Sequence, residues 1–152
     1  MNQSFQFASV IREKLAALVN GLTIEQLNTI PAGFNNNIAW HLGHMVVSTE
    51  LLCYHRTGSL PGREIALADK YRNGTRPDAF ITRDEVNSLL NRLQPSLAEI
   101  ETTLANGGFD TITPYSTQTF GFELKNIADV MACCSHHDLL HYGNVLAMRK
   151  LV

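Results

Sequence analysis

Apolar residues recur every three or four positions in four long stretches of this chain, and no stretch shows a convincing strand-like alternation. The first stretch is typical, because Ala8, Ile11, Leu15, Leu18 and Leu22 fall on one face of a helix. Further long helices are predicted at 38–56, from about residue 82 to 104, and from about residue 126 to the end. This pattern predicts an all-α fold.

Polar residues at the helix starts refine these predictions. Thr23 and Gln26 have the spacing of a capping box for a short helix, and Thr82 and Glu85 have the same spacing at the start of the third long helix. Pro95 lies inside the apolar pattern of that third helix. Because proline lacks the backbone N–H and clashes with the preceding turn, we expect it to kink the helix or split it in two.

The connections between the long helices are unusually long. Residues 58–81 contain two prolines and three glycines, which indicates a crossover or part of a site. Residues 106–125 are predicted to be an ordered loop. Since simple up-and-down neighbours need only short loops, the sequence predicts a four-helix bundle with a crossover connection. The length of 152 residues suits a single domain spanning 1–152.

Composition narrows the classes of partner. The net charge is −2 with no block of like charge, which does not favour nucleic acid or an anionic membrane as a partner. The N-terminus lacks the pattern of a signal peptide, and no apolar run approaches the ~18 residues of a membrane span. The three cysteines form no disulfide framework. We therefore expect a cytoplasmic protein.

Five of the six histidines fall in two clusters, which are IAWHLGHM and SHHDLLHYG. His137 and His141 occupy positions in an apolar seam of the fourth helix and are four residues apart, so that their side chains lie on one face. Two imidazoles at this spacing can hold one metal ion. Two core histidines bonded to backbone or water are the alternative, but both polar rings would then need partners. His136 points about 100° away around the helix.

The second long helix carries a polar stripe along one flank, formed by His41, His44, Ser48 and His55. A polar stripe between apolar flanks suits a partly buried cleft, and periodicity allows an exposed strip equally well. His41 and His44 are three residues apart, so either could supply a third ligand. The spacing alone leaves that choice open.

Two other chemistries have weaker support. The segment HDLLH resembles the metallopeptidase pattern H-E-x-x-H, but Asp138 replaces the glutamate and no His, Asp or Glu follows as a third ligand. Buried free cysteines usually pack as small apolar residues. Cys134, one turn before His137 on the seam, is a better candidate for a ligand or reactive thiol than Cys133.

Several segments resemble one known family. NNNIAWHLGHMVVSTE is similar to the second-helix signature of the DinB/YfiT-like superfamily, and HDLLHYGNVLAMRK is similar to its closing H-x-x-x-H-x-G segment. TIEQLNTIPAG and FGFELKNIADV resemble the connecting stretches of that superfamily. The resemblance therefore covers most of the chain.

The resemblance implies a four-helix bundle with a crossover connection, often found as a homodimer, and a divalent metal held by His44, His137 and His141. His41 then lies outside the triad. Zinc and nickel both suit imidazole ligands. By analogy with characterised relatives, we expect a metal-dependent transferase that uses a low-molecular-weight thiol and a small-molecule substrate. The alternatives are a non-catalytic metal-stabilised or small-molecule-binding bundle and a metal-dependent hydrolase.

Overall fold

The computed structural model describes residues 3–152, and α-helices dominate it. The long helices are α1 (Gln3–Asn20), α3 (Ile38–Glu50, continued by a π-helix, Leu51–Arg56), α5 (Arg83–Ala105) and α6 (Ile127–Met148). The short elements are α2 (Ile24–Asn28), α4 (Ala68–Tyr71) and two paired two-residue strands, β1 (Tyr115–Ser116) and β2 (Glu123–Leu124). The prediction of an all-α fold is confirmed, and the loop predicted at 106–125 contains the strand pair.

The cap of α2 is the predicted capping box. The backbone N–H of Gln26 donates to Thr23 Oγ1 at 3.2 Å, and Gln26 Oε1 accepts from the Thr23 backbone N–H at 3.0 Å. At α5 only half of the predicted box forms. Thr82 Oγ1 accepts from the Glu85 backbone N–H, but the Glu85 carboxylate binds Lys70 instead of returning to the cap.

Helix α5 continues through Pro95, so the predicted split does not occur. The missing N–H of Pro95 leaves the carbonyl of Asn91 without its helical partner. Both residues lie on the exposed side of α5, where water can donate to that carbonyl. The buried side of the same helix, which includes Leu93 and Leu97, keeps its packing.

Two pairs of long helices run in the same direction. Phe5 near the start of α1 shares a buried cluster with Val130 near the start of α6, and Arg12 further along α1 binds Asp138 further along α6. Helix α1 therefore lies parallel to α6. Helix α1 packs mainly on α6 and α5, and α3 packs mainly on α5 and α6.

Helices α3 and α5 form the second parallel pair. Glu50 of α3 forms an ion pair with Arg92 of α5, and Tyr54 of the following π-helix approaches Thr103, about three turns further along α5. Since parallel neighbours cannot be joined by a tight turn, residues 57–82 must return along the bundle. This segment is the crossover that the sequence predicted, and it carries the short helix α4.

A buried arginine joins the long helices at their centre. Arg12 is fully buried, and its Nε donates to Asp138 Oδ2 at 2.6 Å. Its Nη atoms donate to α5 through Leu93 O and Ser96 Oγ and to α3 through Met45 O and Thr49 Oγ1. A charge removed from water this completely needs such partners.

Within residues 3–152, no helix is long and apolar enough to cross a membrane.

Candidate metal centre

Three histidine rings converge where α3 packs against α6. His44 comes from α3, while His137 and His141 come from adjacent turns of α6. His137 Nε2 lies 3.3 Å from His44 Nε2 and 3.0 Å from His141 Nε2. The ligand atoms of all three residues lie within 4.8 Å of one another, and this is a group that could hold a metal ion.

Burial keeps these rings neutral. Removal from water, together with the smaller effect of the neighbouring imidazoles, lowers the pKa of His137 to about 3 and that of His141 to about 2, and Arg12 contributes at His137. Burial also lowers the pKa of His44, against the opposing effect of its hydrogen bond to the Tyr71 backbone. Metal binding requires unprotonated imidazole, so near neutral pH no proton competes for these nitrogens.

The crossover segment sets the orientation of His44. Its Nδ1 lies 2.7 Å from the backbone carbonyl oxygen of Tyr71, so the Nδ1–H must donate and the neutral ring leaves a lone pair on Nε2. The indole of Trp40 stacks on the same ring, with 4.4 Å between centroids and 13° between planes. Ser48 Oγ lies 3.2 Å from each nitrogen of the ring. The Nε2 lone pair therefore points at the other histidines in a fixed direction.

His41 lies beside the triad and contacts only one of its members by hydrogen bond. Its Nδ1 is 2.8 Å from His141 Nδ1, so one ring donates to the other. If His141 offers its Nε2 lone pair, its Nδ1 carries the proton and His41 accepts it. Burial lowers the pKa of His41 to about 4. The structure thus brings His44 into the group with His137 and His141 and places His41 behind His141.

The three rings line a cavity of about 780 Å³. Its walls come from α3 with the π-helix, from α6, from Arg72 and Asn73 of the crossover segment, and from residues 116–120, which begin at the end of β1. His41, His44, Ser48 and His55 all line it, so the polar stripe of the second long helix faces a cleft and is not an exposed strip. Trp40, Leu51, Leu52, Phe120 and Leu140 supply apolar surface.

The cysteines lie outside the histidine group. Cys134 Sγ faces Cys53 Sγ at 4.0 Å, and that contact together with burial raises the pKa of Cys134 well above its usual value. Cys133 lines the cavity, but burial raises the pKa of its thiol to about 11. Both residues are therefore protonated near neutral pH, which does not suit a nucleophile. Neither belongs to the group of side chains whose ligand atoms converge on one point.

The metallopeptidase interpretation is inconsistent with the position of Asp138. Its Oδ2 binds the buried Arg12, and the residue does not line the cavity. It is therefore held away from any ion bound by His137 and His141. The third residue that converges with this pair is His44, which precedes the motif in the chain and does not follow it.

Sequence reasoning missed the contribution of the crossover segment. Tyr71 binds His44 through a backbone carbonyl, which any residue could supply, and the only signal was the length of the irregular segment. Arg56 and Arg72 also line the cavity. Ser48 of α3 and Asn144 of α6 line the cavity as well, whereas Tyr142 of α6 packs against the buried apolar core.

These features define a helical protein with three convergent histidines in the wall of an open cavity. The sequence model of the DinB superfamily matches residues 9–145, so the chain belongs to the DinB superfamily. No curated protein matches the chain. The match includes His44, His137 and His141, together with the crossover segment that orients His44.

Proposed function

We propose that this protein is a divalent-metal-dependent enzyme of the DinB superfamily that transfers a low-molecular-weight thiol to a small-molecule acceptor. In this proposal His44, His137 and His141 hold the metal. The observation that carries it is the position of the three rings, whose Nε2 atoms converge at the surface of a large cavity. Three protein ligands beside open space are typical of catalytic sites, whereas structural zinc sites usually have four.

The donor atoms suit such an ion. Zinc–nitrogen bonds of 2.0–2.1 Å at a tetrahedral angle hold two nitrogens about 3.3 Å apart, close to the observed 3.3 and 3.0 Å. The tautomer of His44 is set by the Tyr71 carbonyl. The buried Nδ1 of His137 has no hydrogen-bond partner among the described residues, so the interactions of this ring depend on its Nε2. We propose zinc or nickel, since both suit imidazole ligands.

A bound divalent ion would stabilise a thiolate at neutral pH. In the proposed reaction the sulfur of the thiol forms a bond to an electrophilic carbon of the acceptor. The bond from that carbon to the leaving group breaks, the leaving group departs with the electron pair, and the thiol proton passes to solvent. The chain itself would bind the two reactants in the cavity, where Trp40 and Phe120 supply apolar surface.

The first experiment measures the metal content of untagged protein by elemental analysis. We expect near-stoichiometric metal in the wild type and none in the His44→Ala/His137→Ala double variant. His136→Ala is the matched control, because His136 is exposed on α6 and its ring contacts the Ala132 carbonyl. Absence of metal in the wild type after supply of zinc and nickel would refute the three-histidine site.

The second experiment tests the reaction. Metal-loaded protein is incubated with electrophilic acceptors in the presence and absence of low-molecular-weight thiols, and thiol consumption is measured. Thiol-dependent turnover that a chelator abolishes supports the transferase. Turnover without thiol would indicate a hydrolase. A large chelator-induced fall in melting temperature with no turnover would indicate a metal-stabilised bundle.

A further inference from the structure

We infer that Arg56 and Arg72 bind the oxyanion groups of a small organic anion inside the cavity. The inference deepens the proposed function, on which it rests for the claim that this anion is a reactant. The binding itself can be tested without any metal. Binding would depend on the positive charge of the cavity lining and on the guanidinium N–H groups of the two arginines that are not used within the protein.

The described lining of the cavity contains no aspartate or glutamate. Among these described lining residues, only Arg56 and Arg72 carry a permanent charge, and the histidines of the group are neutral near pH 7. The chain as a whole has the opposite balance, with 14 acidic and 12 basic residues. The cavity is therefore a cationic site on an acidic protein, and a divalent ion at the triad would add to its positive charge.

Arg56 is held in position but retains most of its donors. Its guanidinium carbon lies 5.2 Å from the centroid of the Tyr115 ring, and its Nη2 donates to the Ser116 carbonyl at 3.3 Å. No carboxylate among the described residues forms a salt bridge with it. A guanidinium has five N–H donors and commonly binds an oxyanion through two of them.

Among the described residues, Arg72 has only a weak ion-pair partner. Its Nε lies 3.7 Å from Asp69 Oδ1, and the two side chains are 58% and 105% exposed. An exposed ion pair of this kind contributes little and exchanges readily for a ligand. Arg72 also directly follows Tyr71, whose carbonyl orients His44. The same short segment therefore links the triad to a weakly paired cation in the wall of the cavity.

The remaining lining indicates an organic ligand. Apolar side chains such as Trp40, Leu52 and Phe120 would contact a carbon skeleton, while Asn144 and Gln118 offer amide hydrogen bonds. A volume of about 780 Å³ suits a small molecule and is far larger than an inorganic ion requires. Carboxylate and phosphate groups share the chemistry that the arginines recognise, so the experiment must separate them.

The probes are succinate, its neutral analogue succinamide, and inorganic phosphate, each titrated into ¹⁵N-labelled protein and followed by amide chemical shifts. We expect succinate to perturb the amides of cavity residues and succinamide to bind much more weakly. Arg56→Gln and Arg72→Gln should each weaken succinate binding by about fivefold or more. Arg76→Gln is the matched control, because Arg76 is exposed on the same segment and does not line the cavity.

Equal binding of succinate and succinamide, or equal affinities in all three arginine variants, would overturn the inference. If phosphate binds and succinate does not, the anion is a phosphate and not a carboxylate. The His44→Ala/His137→Ala variant separates this inference from the proposed function. It should lose metal yet still bind succinate, whereas Arg56→Gln/Arg72→Gln should keep its metal and lose succinate.

Discussion

His44 Nδ1 lies 2.7 Å from the backbone carbonyl oxygen of Tyr71, so a ring on α3 is oriented by the crossover segment. Tyr71 is itself fixed, since its hydroxyl donates to Glu85 on α5 and its ring is fully buried. The close approach depends on Gly43. A Cβ atom at that position would lie 2.5–2.6 Å from three carbons of the Tyr71 ring. Glycine at position 43 therefore permits the contact that orients the neighbouring histidine.

Gly43→Ala should weaken metal binding and destabilise the fold. The added methyl group must displace a buried ring, for which overpacking costs about 1–3 kcal/mol, and the Tyr71 carbonyl then moves from His44. Loss of such an orienting contact commonly lowers metal affinity by about 10- to 100-fold. Zinc competition titration measures the affinity, and urea unfolding measures the stability.

Gly143→Ala is the control for this prediction. Gly143 lies two residues after His141 in α6, but a Cβ atom at that position would meet nothing within 4 Å. Because alanine is the better helix former, this variant should gain about 0.5–1 kcal/mol of stability and keep its zinc affinity. Similar behaviour of the two variants would contradict the role assigned to the Tyr71 contact.

Replacement of His41 should separate its role from that of a ligand. His41→Leu removes the acceptor for the His141 Nδ1–H and should weaken zinc binding about 10- to 100-fold without abolishing it. His41→Asn can present an oxygen near the former Nδ1 and should recover part of the affinity. Complete loss of metal in both variants would instead make His41 a ligand.

The helices and the histidine pair on α6 were predictable because each depends on local spacing. Apolar residues every three or four positions define the buried faces, and a four-residue interval places His137 and His141 on one face of any helix. The family resemblance also indicated His44. Ligation by these three residues stays a prediction, as does the homodimer.

The remaining features depend on contacts between distant segments. His41 and His44 both face the cavity, and only the packing of α3 on α6 brings His44 to the pair and leaves His41 behind His141. The tolerance of Pro95 depends on which side of α5 is exposed. The burial of Arg12 was not predictable either, because an arginine on a helix usually lies at the surface. Its burial follows from hydrogen-bond partners on the other long helices.

The stability of the metal-free protein should fall as the pH drops below 6.5. The pKa of His41 is about 4 and that of His137 about 3 in the fold, so between these values and 6.5 the unfolded chain binds protons that the folded chain does not. Each such histidine contributes a slope of about 1.4 kcal/mol per pH unit. Stability is fully present above pH 6.5 and is lost as the pH falls toward the lowered pKa values.

Urea unfolding of chelator-treated protein at a series of pH values measures this effect. The His44→Ala/His137→Ala variant supplies the comparison, because it lacks two of the buried histidines while its carboxylates are unchanged. Its stability should depend less steeply on pH between 4 and 6.5. Parallel curves for the two proteins would show that the folded histidines titrate normally.

Arg12→Met should be among the most destabilising single changes in the chain. It leaves the Asp138 carboxylate buried without its cation, and Asp138 Oδ1 already has no hydrogen-bond partner among the described residues. Removal of one member of a buried ion pair costs about 3–5 kcal/mol. Lys125→Met is the control, since the Lys125–Glu123 pair is exposed and should contribute less than about 1 kcal/mol.

The double variant Arg12→Met/Asp138→Leu decides why Arg12→Met is destabilising. If the unpaired carboxylate dominates the loss, removing that charge as well should make the double variant more stable than Arg12→Met alone. Ser96 Oγ and Thr49 Oγ1 would still bond to carbonyls of their own helices, so they lose one partner and not all. Additive losses in urea unfolding would instead mean that Arg12 stabilises the bundle mainly through α3 and α5. In that case metal content should also fall, because α3 carries His44 and its position relative to α6 would no longer be fixed by Arg12.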